Sequence, residues 1–226
     1  MVEGNRQFRL PNSSQRLTII GRTGSGKSMM GAWVLATSAD IDKRPWLVID
    51  YKYEGLFRDP FVKHLFKEIM PTAAAPKKPG LYIVHPRPDE GAEIEDLLWR
   101  VWERGRTGVF VDEGYMLPDK AAFQALLTQG RSKHIPMIIC SQRPVAMSRF
   151  AFSEADYFSV FKITDDRDWK TVSAFAPIPS NTTLAEFNSW WYDVAQDKTW
   201  RLKPVPHRNI ILNSLSARAP RRLLFG

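Results

Sequence analysis

The segment Gly21-Arg22-Thr23-Gly24-Ser25-Gly26-Lys27-Ser28 constrains this chain more than any other. It matches in full the pattern in which two glycines, a lysine and a Ser/Thr stand at fixed spacing. It follows the apolar run Leu17-Thr18-Ile19-Ile20 and opens a proline-free stretch from Ser28 to Thr37. A strand feeding a glycine loop that feeds a helix is the context in which backbone N–H groups wrap phosphates and the helix N-terminus adds positive potential. In that arrangement the whole loop, Gly21, Arg22, Thr23, Gly24, Ser25 and Gly26 included, cradles the phosphates. Lys27 reaches the β and γ oxygens, and Ser28 offers its hydroxyl to Mg2+. A glycine turn of purely structural use is the alternative.

Further along, strand-like and helix-like runs alternate. Trp46-Leu47-Val48-Ile49, Leu81-Tyr82-Ile83-Val84, Val109-Phe110-Val111 and Pro136-Met137-Ile138-Ile139-Cys140 are continuous apolar runs, the pattern of strands buried on both faces. Between them, Ile94, Leu97, Leu98 and Val101 fall at helical spacing, with Glu95, Asp96 and Arg100 opposite. Helices are also expected over Phe61 to Met70 and Ala121 to Gln129, and an exposed loop over the breaker-rich Pro71–Gly80. The fold class is therefore α/β, a mostly parallel central sheet flanked by helices. Past Tyr157–Phe161 the pattern changes, and Trp191–Val194 against Thr199–Leu202 reads as a C-terminal β-hairpin. The 226 residues suit one domain over 1–206, followed by a basic tail over 207–226.

Two further strand ends carry polar groups. Val109-Phe110-Val111 runs into Asp112 and Glu113, at the edge where sheets of this class bind ligands. Asp112 fits the residue that holds Mg2+. Glu113, beside it, can polarise a water for attack on a γ-phosphate, which favours hydrolysis over transfer to a small acceptor. Acidic residues that merely form a turn are the alternative. The fifth strand ends in Ser141-Gln142-Arg143-Pro144, and Gln142 there can sense the γ-phosphate or its attacking water.

Charge bears on partners. Lys and Arg exceed Asp and Glu by 32 to 24, and between Arg201 and Gly226 stand six basic residues and no acidic one. Such a tail favours polyanions, a nucleic acid or a membrane surface, or else simply aids solubility. Pro204 and Pro206 break regular structure, while Ile210-Ile211-Leu212 can dock on the core or on a partner. The single cysteine, Cys140, excludes an internal disulfide and a four-cysteine zinc site and reads as a buried small hydrophobe. No apolar run approaches the roughly 18 residues of a spanning helix, and no secretory pattern opens the chain. An intracellular, soluble protein is expected.

Taken together, Gly21–Ser28, Asp50-Tyr51-Lys52, Val111-Asp112-Glu113 and Gly130-Arg131-Ser132-Lys133-His134-Ile135-Pro136 running into Ser141-Gln142-Arg143-Pro144 resemble the HerA and FtsK group of hexameric DNA-pumping ATPases. In layout the chain is most similar to the genome-packaging ATPases of tailless, membrane-containing viruses. The resemblance spans roughly Leu17 to Asp168. It implies a RecA-like P-loop NTPase fold of the ASCE type, ATP and Mg2+ as ligands, and a ring, most simply a hexamer, that pumps double-stranded DNA. It also implies capsid or membrane-vertex proteins as partners, and a location in the host cytoplasm or at the packaging vertex of the virion. In this family an arginine from one subunit completes its neighbour's site; Arg131 matches by position, with Arg143, Arg149 and Arg167 as rivals. Two other classes share some of these motifs. One is the filamentous-phage assembly ATPase of the zonula-occludens-toxin type, which usually carries a transmembrane helix; the other is a P-loop kinase or nucleotide-gated module that does not act on DNA.

Overall fold

The apolar runs pair into one nine-stranded sheet in a computed structural model that describes residues 7–53, 55–58, 60, 64–179 and 184–218. In chain order the elements are β1 (Arg16–Ile20), α1 (Lys27–Thr37), β2 (Pro45–Asp50), β3 (Phe66–Glu68), β4 (Gly80–Val84), α2 (Gly91–Arg104), β5 (Gly108–Asp112) and α3 (Ala121–Gln129). They continue with β6 (Met137–Ser141), α4 (Phe150–Ser153), β7 (Tyr157–Val160), α5 (Asp166–Ser173), β8 (Ser189–Asp193), β9 (Lys198–Leu202) and α6 (Arg208–Arg218). Spatial order is β3-β4-β2-β5-β6-β1-β7-β8-β9. Pairing is parallel from β3 to β7, then antiparallel through β8 and β9. Strand β6 therefore stands between β1, which leads into the glycine loop, and β5, which ends in Asp112; this is the additional strand that the ASCE type denotes.

The continuous apolar runs are explained by cover on both faces. Every residue of β1, β2, β4, β5 and β6 is buried. One face packs Ile94, Leu97, Leu98 and Val101 of α2 with Phe123, Leu126 and Leu127 of α3. The other packs Met30, Val34 and Leu35 of α1 with Ile211, Leu212 and Leu215 of α6. Cys140 lies in this second layer, fully buried, and burial pushes its thiol well above the ordinary range.

Two segments differ from the sequence reading or extend it. The helix expected over Phe61 to Met70 gives way to β3, whose Phe66 and Glu68 pair with Leu81 and Ile83 of β4; residues 61–63 lie outside the described residues. Leu65 and Phe66 are buried there, and pairing satisfies an otherwise open sheet edge, so tertiary context overrides a short apolar pattern. In the basic tail, Pro204 and Pro206 do interrupt regular structure, but Arg208–Arg218 then forms α6 and docks on α1. The Arg218 guanidinium donates to the Ala36 carbonyl at 2.6 Å and to that of Ala39. Arg221 and Arg222 lie outside the described residues.

Candidate active site

Because β1, β2, β5 and β6 are parallel and in register, with Ile20 beside Ser141 and Asp50 beside Asp112, their C-terminal ends share one edge. The glycine loop sits there. Gly24 and Gly26 have φ of 76° and 101°, left-handed values that side chains rarely tolerate. Gly26 also begins α1, its carbonyl accepting from the Met30 N–H at 2.9 Å. Lys27 is buried, and its ammonium donates to the Arg22 carbonyl across the loop at 3.1 Å. Burial holds that ammonium below its usual range, an effect the nearby Glu113 opposes.

Ser28, on the first turn of α1, donates its hydroxyl to both Asp112 oxygens at 2.9 and 3.0 Å. A hydroxyl and a carboxylate are hard oxygen donors, the class that Mg2+ takes together with substrate phosphates. The pair thus fits that ion. Asp112 is nearly inaccessible, and burial pushes its carboxyl up to about 6 against the opposing influence of Lys52 and the Ser28 hydrogen bond.

Glu113 follows in a left-handed conformation, φ 66° and ψ 61°, which turns it away from the strand direction. Its side chain is buried; Oε1 pairs with the Lys52 ammonium, and Oε2 lies 3.4 Å from the Gln142 N–H. Gln142 bridges two walls of the site. Its Nε2 donates to the Tyr115 hydroxyl at 3.1 Å, and its Oε1 accepts from the Thr23 hydroxyl in the loop. Gly21–Ser28, Asp112, Glu113 and Gln142 are therefore neighbours, as the three strand ends suggest.

Arg131 is not among them. It lies in the turn before β6, at the opposite edge of the sheet, and pairs with Asp156 at 2.5 Å while 59% of its side chain stays exposed. Within its own subunit it is a strand's length from the loop. Of its rivals, Arg143 directly follows Gln142 and is exposed, Arg149 lies 5.6 Å from the centroid of Phe175, and Arg167 sits in the first turn of α5.

Several site residues escape sequence reasoning. A cleft of about 730 Å3 runs from the loop past Asp112 and Lys52 to Phe187 and residues 204–208, a size suited to a nucleotide. Pro204 to Arg208 reach it because α6 docks on α1 and draws the preceding linker over the loop's helix; nothing local in the sequence signals this. Lys52 belongs to a stretch that carries the family resemblance, but the sequence assigns it no role in the site; it stands two residues past β2, the neighbour of the Asp112 strand. Behind it the buried Asp50 accepts from the Lys52 backbone N–H at 3.1 Å and pairs with His85 Nδ1 at 3.0 Å.

No protein-family model matches the chain. The DNA packaging ATPase P9 of Enterobacteria phage PRD1 is 44% identical over 218 residues, 91% of this chain and 93% of that protein. Among solved structures, the genome packaging NTPase B204 of Sulfolobus turreted icosahedral virus 2 with ATP-gammaS matches with a TM-score of 0.67 at 18% identity, over 87% of this chain and 100% of that one. The conjugation coupling protein TcpA of pCW3 matches with a TM-score of 0.60 at 14% identity, over 88% of this chain and 64% of that one. At these identities the two structures speak for a common fold. No helix of the described residues is long and apolar enough to cross a membrane.

Proposed function

The chain belongs to the family of the phage PRD1 DNA packaging ATPase P9, and from that membership we propose that it hydrolyses ATP to drive double-stranded DNA into a viral capsid. The observation that carries the chemistry is the convergence of Lys27, Ser28, Asp112, Glu113 and Gln142 at one sheet edge beside a nucleotide-sized cleft. The loop N–H groups and Lys27 bind the phosphates. Ser28 and Asp112 would hold Mg2+, which would supply charge neutralisation at the phosphate oxygens. Phe187 and residues 204–208, at the far end of the cleft, seat the base by apolar contact.

Glu113 takes up a proton from the attacking water as the water oxygen bonds to the γ-phosphorus. The bond from that phosphorus to the β–γ bridging oxygen breaks, leaving ADP and phosphate. Gln142, tied to both Thr23 and Tyr115, reports the state of the γ-phosphate to the loop. Arg131 of one subunit reaches a neighbour's site, in a ring that is most simply a hexamer, since its own site is out of reach. The motor works in the host cytoplasm or at the packaging vertex of the virion, against capsid or membrane-vertex proteins.

ATP turnover with and without double-stranded DNA tests this reading. Stimulation by DNA is expected; indifference to DNA would remove the motor assignment. Glu113→Gln is expected to bind ATP while losing hydrolysis by about 10²-fold or more, and Lys27→Ala to lose both. Near-normal turnover in Glu113→Gln would show that another group activates the water.

A further inference from the structure

Glu113 can act on a water only if its carboxylate is held in one orientation, and the structure contains a side chain suited to that task. Lys52 lies on the stretch following β2, beside β5, and its ammonium pairs with Glu113 Oε1. The other oxygen, Oε2, is left toward Gln142, whose N–H lies 3.4 Å away and whose side chain lines the cleft. Lys52 is itself fixed from behind. Its backbone N–H donates to Asp50, whose other oxygen lies 3.0 Å from His85 Nδ1 just past β4. The chain of contacts His85–Asp50–Lys52–Glu113 thus crosses three adjacent strand ends and finishes at the carboxylate that the hydrolytic reading requires.

Lys27 and Lys52 both line the cleft, and their surroundings differ. Lys27 donates to a loop carbonyl and lies within the cradle. Lys52 is bound to a carboxylate. A buried carboxylate with one oxygen in an ion pair has a single orientation, whereas an unpaired one swings among rotamers and loses the alignment that water attack needs.

Resting on the reading of Glu113 as the water-activating group, we propose that Lys52 is a positioning residue for hydrolysis, clamping Glu113 Oε1 so that Oε2 faces the attacking water. The test separates positioning from phosphate binding by splitting turnover from affinity. Lys52→Ala is expected to lower kcat by about 10²-fold or more while ATP affinity and KM stay within about threefold. Lys52→Arg, which keeps a cation at the clamp, is expected to recover part of the kcat that Lys52→Ala loses.

The effects of Lys52→Ala and Glu113→Gln are expected not to multiply, since both act through one group. Should Lys52→Ala fail to fold because Glu113 is left buried and unpaired, Lys52→Met in the Glu113→Gln background removes both charges. That double variant is expected to bind ATP as tightly as Glu113→Gln alone. A tenfold or larger loss of ATP affinity in either background would make Lys52 a phosphate ligand and overturn the proposal. So would multiplicative losses, or normal kcat in Lys52→Ala. Full activity in Glu113→Gln would instead refute the reading on which the proposal rests.

Discussion

Replacing Asp112 by Asn should make the protein more stable and less active, and the size of the gain follows from burial. The Asp112 carboxyl is raised from 3.8 to about 6, chiefly because its charged form is desolvated. At about 1.4 kcal/mol per pH unit, that difference is about 3 kcal/mol of preference for the neutral form. A carboxyl raised in the folded state contributes stability that is present below its unfolded value and lost as pH rises through the folded one. The neutral amide of Asp112→Asn keeps that contribution at every pH and can still accept from Ser28.

With nucleotide and metal removed by chelation, the variant should exceed the parent by about 3 kcal/mol at pH 7.5, falling to about half of that at pH 5. For a chain of this size the gap at pH 7.5 is a rise in Tm of about 6–12 °C. Thermal and urea unfolding between pH 5 and 8 measure it. Hydrolysis with Mg2+ should be lost in the same variant, the exchange expected where a site holds an unfavourable charge for its chemistry. A variant no more stable than the parent at pH 7.5, or a gap that does not change with pH, would refute the reasoning. Either would mean that Ser28 and Lys52 already compensate the burial of the charge.

Arg131→Ala should fold and bind ATP yet fail to hydrolyse it, and mixing it with Lys27→Ala should restore part of the activity, since some interfaces then carry one intact half from each. No recovery at any ratio, with mixed assemblies confirmed, would pass the role to Arg143, Arg149 or Arg167. Arg218→Ala removes two charged hydrogen bonds to the end of α1 and should cost about 1–3 kcal/mol in urea unfolding; an unchanged midpoint would show that α6 holds by its apolar face alone. Deleting residues 219–226, by contrast, should leave that midpoint in place while Arg221 and Arg222 are lost. The log–log salt slope of DNA binding should then fall by about two, and an unchanged slope would assign this end of the chain to a protein or membrane partner.

What the sequence discloses and what it hides divide along a physical line. Gly21–Ser28, Asp112–Glu113 and Gln142 are legible because each is a short polar cluster at the end of an apolar run, and a parallel sheet brings such ends to one edge whatever the intervening helices do. The helical pattern of Ile94, Leu97, Leu98 and Val101 is legible for a similar reason, since its period alone fixes the buried face. The stretch around Phe66 is not, because two apolar residues serve a helix as well as an edge strand, and only the open backbone of β4 decides between them.

Long-range docking hides the rest. Residues 204–208 enter the cleft only after Ile211, Leu212 and Leu215 have found α1, and a basic, proline-broken segment carries no local sign of that partner. The same docking ties α1 at both ends. Its N-terminus carries Lys27 and Ser28, while its C-terminal carbonyl at Ala36 and that of Ala39 just beyond accept from Arg218. One helix of 11 residues therefore joins the phosphate-binding loop to α6, and both the helix and the linker that enters the cleft depend on a contact far away in the sequence.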